Sequence, residues 1–139
     1  MSRKLNCIML VDDNRDDNFF HERVIRKSDA ARVVVAKQSG QEALEYLRDA
    51  KERKDPLPEL LLLDINMPGM TGWEFLEEYD KSNKDPSEKI VVIILTTSQN
   101  PDDESKARTL SMVSGFRTKP LTKEMLGEIV EKHCECKVR

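Results

Sequence analysis

Five short apolar runs, each followed by a longer amphipathic stretch, divide the chain from Leu5 to His133. The runs are Leu5–Val11, Arg32–Lys37, Glu59–Leu63, Ile90–Leu95 and Val113–Thr118. Leu60 to Leu63 and Ile90 to Leu95 (IVVIIL) are apolar at every position. A strand reads this way when both its faces are covered, because neither row of side chains meets water. The stretches between carry helix signals. Asp16–Lys27 places Phe20 and Val24 four apart on one face. Ser39-Gly40-Gln41-Glu42 is a capping box, followed by an apolar stripe of Ala43, Leu44 and Leu47. Thr71-Gly72-Trp73-Glu74 repeats that box ahead of a helix lined by Trp73, Leu76 and Tyr79. Asn100-Pro101-Asp102-Asp103 supplies a capping Asn, a Pro at the first helical position and acids at the positive end of the helix dipole. Thr122–His133 is the last helix, with Leu126, Ile129 and Val130 inward. Lys51–Pro58 and Lys81–Lys89 read as polar loops.

Strand-then-helix units joined by crossovers give an α/β fold with a parallel sheet between two helical layers. Right-handed crossovers leave few windings. The expectation is a flavodoxin-like (βα)5 three-layer sandwich with strand order 2-1-3-4-5. A chain of 139 residues suits one domain. We expect residues 1–139 to form that single unit, its core running from about residue 5 to about 135, with no output domain.

Charged residues make up 35% of the chain, but the signs are interspersed and the net charge is only −3. A nucleic-acid binder needs a concentrated basic face, so that class is excluded. No apolar run reaches the ~18 residues of a membrane span, and the apolar part of the N-terminus is too short for a signal peptide. Cys7, Cys134 and Cys136 are odd in number and form no Cys-x-x-Cys pair, which points to a reducing compartment. A cytoplasmic protein without membrane association is expected. Cys134 and Cys136 read as a stray pair and not as metal ligands.

In a parallel α/β sheet all strands end on one edge, where such folds place ligands. The residues just past the strands can therefore be read together. They are Asp12 and Asp13, Gln38 and Ser39, Asp64, Thr96 and Thr97, and Lys119 with Pro120. Taken singly, most have ordinary explanations: the Asp12–Asn14 stretch could simply cap a helix, and Thr96 or Lys119 could be routine strand-end residues. Asp64 is harder to dismiss, because a charge directly after four leucines is costly without a partner. Three carboxylates at one rim repel unless a cation joins them. Lys119 supplies one positive charge, and a hard divalent ion fits the remainder. All the candidate ligands are oxygens, which favours Mg²⁺, or Mn²⁺, over zinc.

These residues resemble those of the response regulator receiver family. An acidic pair follows the first strand. Asp64-Ile65-Asn66-Met67-Pro68-Gly69-Met70-Thr71-Gly72 matches the family's D-x-x-M-P-x-M-x-G loop, Thr96 ends the fourth strand, and Lys119-Pro120 ends the fifth. The resemblance implies a two-component switch. Asp64 would be the phosphoacceptor, loaded by a sensor histidine kinase or a phosphotransfer protein. Asp13, Asp12, Asp64 and the backbone carbonyl of Asn66 would hold Mg²⁺. Thr96 and Lys119 would contact the phosphoryl group, and Phe116 would be the switch aromatic. It also implies a cis Lys119-Pro120 bond and a protein target. Asn66 and Ser98 are expected to tune loss of the phosphoryl group.

Two features depart from the family pattern. Thr97 stands where a smaller residue often follows the threonine, and the span from Thr96 to Lys119 looks about a residue long, placed near Ser111-Met112. Charges at Lys106, Arg108, Arg117, Lys119 and Lys123 and at Asp102, Asp103 and Glu104 could pair across a homodimer formed by the fourth helix, fifth strand and fifth helix; a solvated face is the alternative.

Rival classes fit less well. A phosphohydrolase working through an aspartyl-phosphate needs a second Asp where Asn66 stands. No G-x-x-x-x-G-K-[ST] loop or G-x-S-x-G elbow occurs. His21 and His133 read as surface or boundary residues. A docking module with a vestigial site would usually have lost one of the polar residues that this chain keeps.

Overall fold

The computed structural model describes residues 4–82 and 90–134. The elements are β1 (Leu5–Val11), α1 (Arg15–Ser28), β2 (Ala31–Lys37), α2 (Gly40–Arg53), β3 (Leu60–Leu63), α3 (Gly72–Ser82), β4 (Val91–Thr96), α4 (Pro101–Thr109), β5 (Val113–Thr118) and α5 (Lys123–Ile129). The sheet is parallel throughout, in the order β2-β1-β3-β4-β5, as the winding argument requires. The last helix widens into a π-helical turn at Val130–Cys134.

Strand periodicity divides the core into two layers. Ile8, Leu10, Leu60, Leu62, Ile93 and Leu95 face α1 and α5, where they meet Ile25, Leu126 and Ile129. Met9, Val11, Leu61, Leu63, Val92 and Ile94 point the other way, onto Ala43 and Leu47 of α2, Phe75 and Leu76 of α3 and Ala107 of α4. Each apolar run is thus continuous because its odd and even residues serve different layers.

The Thr71 box forms in both directions. The Glu74 amide donates to Thr71 Oγ1 at 3.2 Å, and the Thr71 amide donates to Glu74 Oε1 at 2.9 Å. The Ser39 box is displaced by one residue. Ser39 Oγ caps the Glu42 amide, but Glu42 reaches back to the amide of Gln38. Asn100 caps α4 and Pro101 opens it, as expected.

Several expectations need correction. Phe20 and Val24 do not share a buried face: Val24 is partly buried against the core, but Phe20 is 50% exposed and Phe19 65%. The buried residues of α1 are Asn18, His21 and Ile25. Asn18 belongs inside because its side-chain amide donates to the carbonyls of Asp12 (2.9 Å) and Lys37 (3.2 Å), satisfying two strand ends. His21, expected near the surface, is 3% exposed. Lys81 and Ser82 belong to α3 and not to a loop, while residues 83–89 lie outside the described residues, as does Cys136. The β4–β5 ladder is irregular at one point inside β5. Val92 pairs with Val113 but Ile93 pairs with Gly115, so Ser114 is taken up as a bulge.

Candidate phosphoacceptor and cation site

The site is set by ladder bonds that run one residue past the strands. The Asp12 amide donates to the Lys37 carbonyl (3.1 Å), the Asp64 amide to Val11 (3.0 Å) and the Lys119 amide to Thr96 (2.9 Å). The sheet therefore fixes the backbones of Asp12, Asp64, Thr96 and Lys119 before any side chain is placed. The Lys119-Pro120 peptide is cis.

Asp12, Asp13 and Asp64 converge there: one carboxylate oxygen from each lies within 4.8 Å of the others. Asp12 and Asp64 are buried, while Asp13 is open to solvent. Backbone amides steady the two buried carboxylates, Asn14 donating to Asp12 Oδ1 at 3.0 Å and Asn66 to Asp64 Oδ1 at 3.1 Å. The Lys119 ammonium lies 2.5 Å from Asp12 Oδ2, 2.7 Å from Asp17 Oδ2 and 3.1 Å from Asp64 Oδ2. Burial works against the charged lysine, but its hydrogen bonds to Asp12 and Asp17 and the charges of Asp64 and Asp12 outweigh it. The ammonium is held well above its ordinary pKa. Asp12 also moves up. Burial is the main cause and Asp64 adds to it, against the opposing pull of Lys119 and the Asn14 amide. The lysine shift expresses the excess of carboxylates around it, whereas the Asp12 shift expresses burial first and the charge of Asp64 last. Hard oxygen donors in such excess suit a divalent ion of the Mg²⁺ or Mn²⁺ kind.

The loop after Asp64 is folded back by its own amides. Met67 and Gly72 both donate to the carbonyl of Ile65, at 3.2 Å and 3.1 Å. Gly69 has φ +81° and Gly72 packs so closely that an added Cβ would lie 2.7 Å from Ile65 Cα and 2.8 Å from the Asp64 carbonyl oxygen. This close approach explains the glycine at the end of the motif. Asn66 itself is exposed.

Thr96 is fully buried, and its Oγ1 accepts from the Ser98 amide at 3.2 Å, whereas Thr97 is exposed. Ser98 Oγ donates to Asp103 Oδ2 at 2.5 Å, tying this loop to the first turn of α4. Phe116 is half-buried against the layer that contains Ile94. Four of the charges considered for a dimer contact pair within the chain: Arg108 with Glu104 (2.8 Å), Arg117 with Glu128 (3.0 Å), and Lys119 with the site carboxylates.

Sequence reasoning missed Asp17. Its signal was available, since it stands four residues after Asp13 in the first turn of α1, but an acid in a first turn is also what the helix dipole favours.

The response regulator receiver domain model matches residues 8–131. The chain belongs to the response regulator receiver family. Among curated receiver proteins, it is 36% identical to response regulator Rcp1 of Synechocystis over 97 residues, covering 69% of this chain and 65% of Rcp1. In structure it superposes with a TM-score of 0.86 on a two-component response regulator from Cytophaga hutchinsonii, at 29% identity, covering 94% of this chain and 97% of that one. The Mn²⁺-bound form of Rcp1 gives 0.74 at 29% identity, covering 94% and 95%. The phosphorylated cyanobacterial phytochrome response regulator RcpA gives 0.71 at 33% identity, covering 92% and 90%. The receiver family is a phosphoacceptor switch. Among the described residues of this receiver, no helix is long and apolar enough to cross a membrane.

Proposed function

We propose that this receiver takes a phosphoryl group onto Asp64 and thereby alters a protein-binding face in a two-component relay. The observation that carries the reading is the meeting of Asp12, Asp13 and Asp64 in one hollow, with the Lys119 ammonium 3.1 Å from Asp64. An Asp64 carboxylate oxygen attacks phosphorus. A new oxygen–phosphorus bond forms as the phosphorus–nitrogen bond of a donor phosphohistidine breaks, and the imidazole leaves with the electron pair and takes up a proton. The donor is a sensor histidine kinase or a phosphotransfer protein. Lys119, firmly protonated, offsets the charge on the transferring oxygens. Asp12, Asp13, Asp64 and the Asn66 carbonyl would hold Mg²⁺, with Mn²⁺ able to replace it. When bound, that ion supplies positive charge beside the phosphoryl oxygens. The Mn²⁺-bound form of Rcp1 and the phosphorylated form of RcpA support this chemistry by kinship.

Thr96 then turns its hydroxyl from the Ser98 amide toward the phosphoryl group, and Phe116 follows into the space behind it. The face formed by α4, β5 and α5 changes and presents itself to a downstream protein or to a second copy of the chain. Asn66 and Ser98 set the lifetime of the acyl phosphate. We assign this relay to the cytoplasm, with the chain acting as one receiver unit.

Incubation with acetyl phosphate and MgCl₂, followed by intact-mass measurement, tests the reading. The wild type should gain one phosphoryl group and Asp64→Asn none. Equal labelling of both would overturn it.

A further inference from the structure

The Lys119 ammonium sits at hydrogen-bond distance from Asp12 and Asp64, two of the three carboxylates that converge for a cation. An ammonium and a divalent ion that share the same oxygens repel each other within a poorly solvated hollow. Lys119 cannot simply be released, because its side chain is only 8% exposed and an unpaired charge there is costly. Asp17 offers a way out. Its carboxylate lies 2.7 Å from Lys119 but is not among the converging three. It is also fixed in place. Asn14 Oδ1 caps the amides of Asp16 and Asp17, at 2.9 Å and 3.1 Å, so the helix start sets where Asp17 stands.

We propose that Asp17 is a positioning residue, the carboxylate that keeps Lys119 paired when it leaves Asp12 to make room for a divalent ion. This rests on the cation reading given above and deepens it. Lys119 is then held between Asp17 and Asp64, on the side where a phosphoryl oxygen would be met. Without Asp17, Lys119 must stay on Asp12 and compete with the ion for it.

The test is a double-mutant cycle read as Mg²⁺ affinity by NMR titration of the full chain with MgCl₂. Asp17→Asn should weaken Mg²⁺ binding roughly threefold to tenfold, and Asp17→Glu should recover most of the loss. In a Lys119→Met background the same Asp17→Asn change should alter affinity by less than about twofold, since no ammonium remains to be held. Equal weakening in both backgrounds would make Asp17 a general source of negative field and overturn the proposal. Unchanged affinity of Asp17→Asn while the wild type binds Mg²⁺ would overturn it alone. A wild type that binds no Mg²⁺ would overturn it together with the cation site. A crystal structure of the wild type soaked in MgCl₂ gives a second check that needs no variant: Lys119 Nζ should lie nearer Asp17 than Asp12, and the reverse order contradicts the proposal.

Discussion

The amide of Lys119 donates to the carbonyl of Thr96 at 2.9 Å across β4 and β5. The ammonium and the hydroxyl that would contact a phosphoryl group on Asp64 are thereby registered by the sheet and not by a loop. Thr96 has its side chain fully buried and held by the Ser98 amide, while its neighbour Thr97 is exposed. Thr96→Ala should therefore blunt the response of the α4–β5–α5 face to beryllofluoride, and Thr97→Ala should leave it intact. Amide chemical-shift changes at saturating beryllofluoride measure this. Equal effects of the two substitutions would contradict the assignment.

Asp12 costs the folded state stability in the absence of a cation. Its carboxyl pKa is raised on folding, chiefly by burial, so the folded chain holds that proton more tightly than the unfolded one. The cost is present at neutral pH and is relieved as pH falls through the raised value. Asp12→Asn should stabilise the protein by about 1 kcal/mol in chelator at pH 7. Saturation reverses the comparison: at MgCl₂ ten times Kd the wild type should gain about 1.4 kcal/mol, and the variant much less. Urea titrations with and without MgCl₂ give both numbers.

His21 produces the opposite trend with acid. Burial, aided by Lys119, lowers its pKa, so the folded state resists protonating it. The unfolded chain takes up that proton first as pH drops below about 6.5, and stability is lost from there downward. His21→Gln should flatten the loss between pH 7 and pH 5.5 by up to about 1 kcal/mol. Denaturation midpoints at the two pH values, compared with the wild type, check it.

Gly72 is where the acidic loop and α3 press together. A Cβ there would meet Ile65 Cα at 2.7 Å and the Asp64 carbonyl at 2.8 Å, both backbone atoms that cannot turn aside. Gly72→Ala should cost about 1–3 kcal/mol and slow acquisition of a phosphoryl group, because the atom that must yield is part of Asp64. Gly127, where an added Cβ meets nothing within 4 Å, is the control. Gly127→Ala should be neutral or mildly stabilising.

The features legible in the sequence were those written in strand periodicity. Short continuous runs such as Leu60–Leu63, set between helix signals, read as strands buried on both faces, and the parallel edge then gathers Asp12, Asp64, Thr96 and Lys119. Helix faces were harder to read. Apolarity groups Phe20 with Val24 on one face, yet Asn18 and His21 take the inner positions, and Asn18 does so because the ends of β1 and β2 need donors there. A backbone group's demand for a partner leaves no mark in an apolar pattern. Asp17 escaped for a related reason: only the angle at which α1 leaves Asn14 decides whether a first-turn acid caps a dipole or reaches Lys119. The bulge at Ser114 has no signal of its own in the sequence, because its location depends on pairing with β4.

Asp64 as the phosphoryl acceptor is tested most directly by chemical trapping. After incubation with acetyl phosphate and MgCl₂, sodium borohydride reduces an aspartyl phosphate to homoserine, and peptide sequencing by mass spectrometry locates it. Homoserine at position 64, dependent on both reagents, is the expected result. Homoserine at Asp12, Asp13 or Asp17, or at no position in a protein that is otherwise folded, would contradict it.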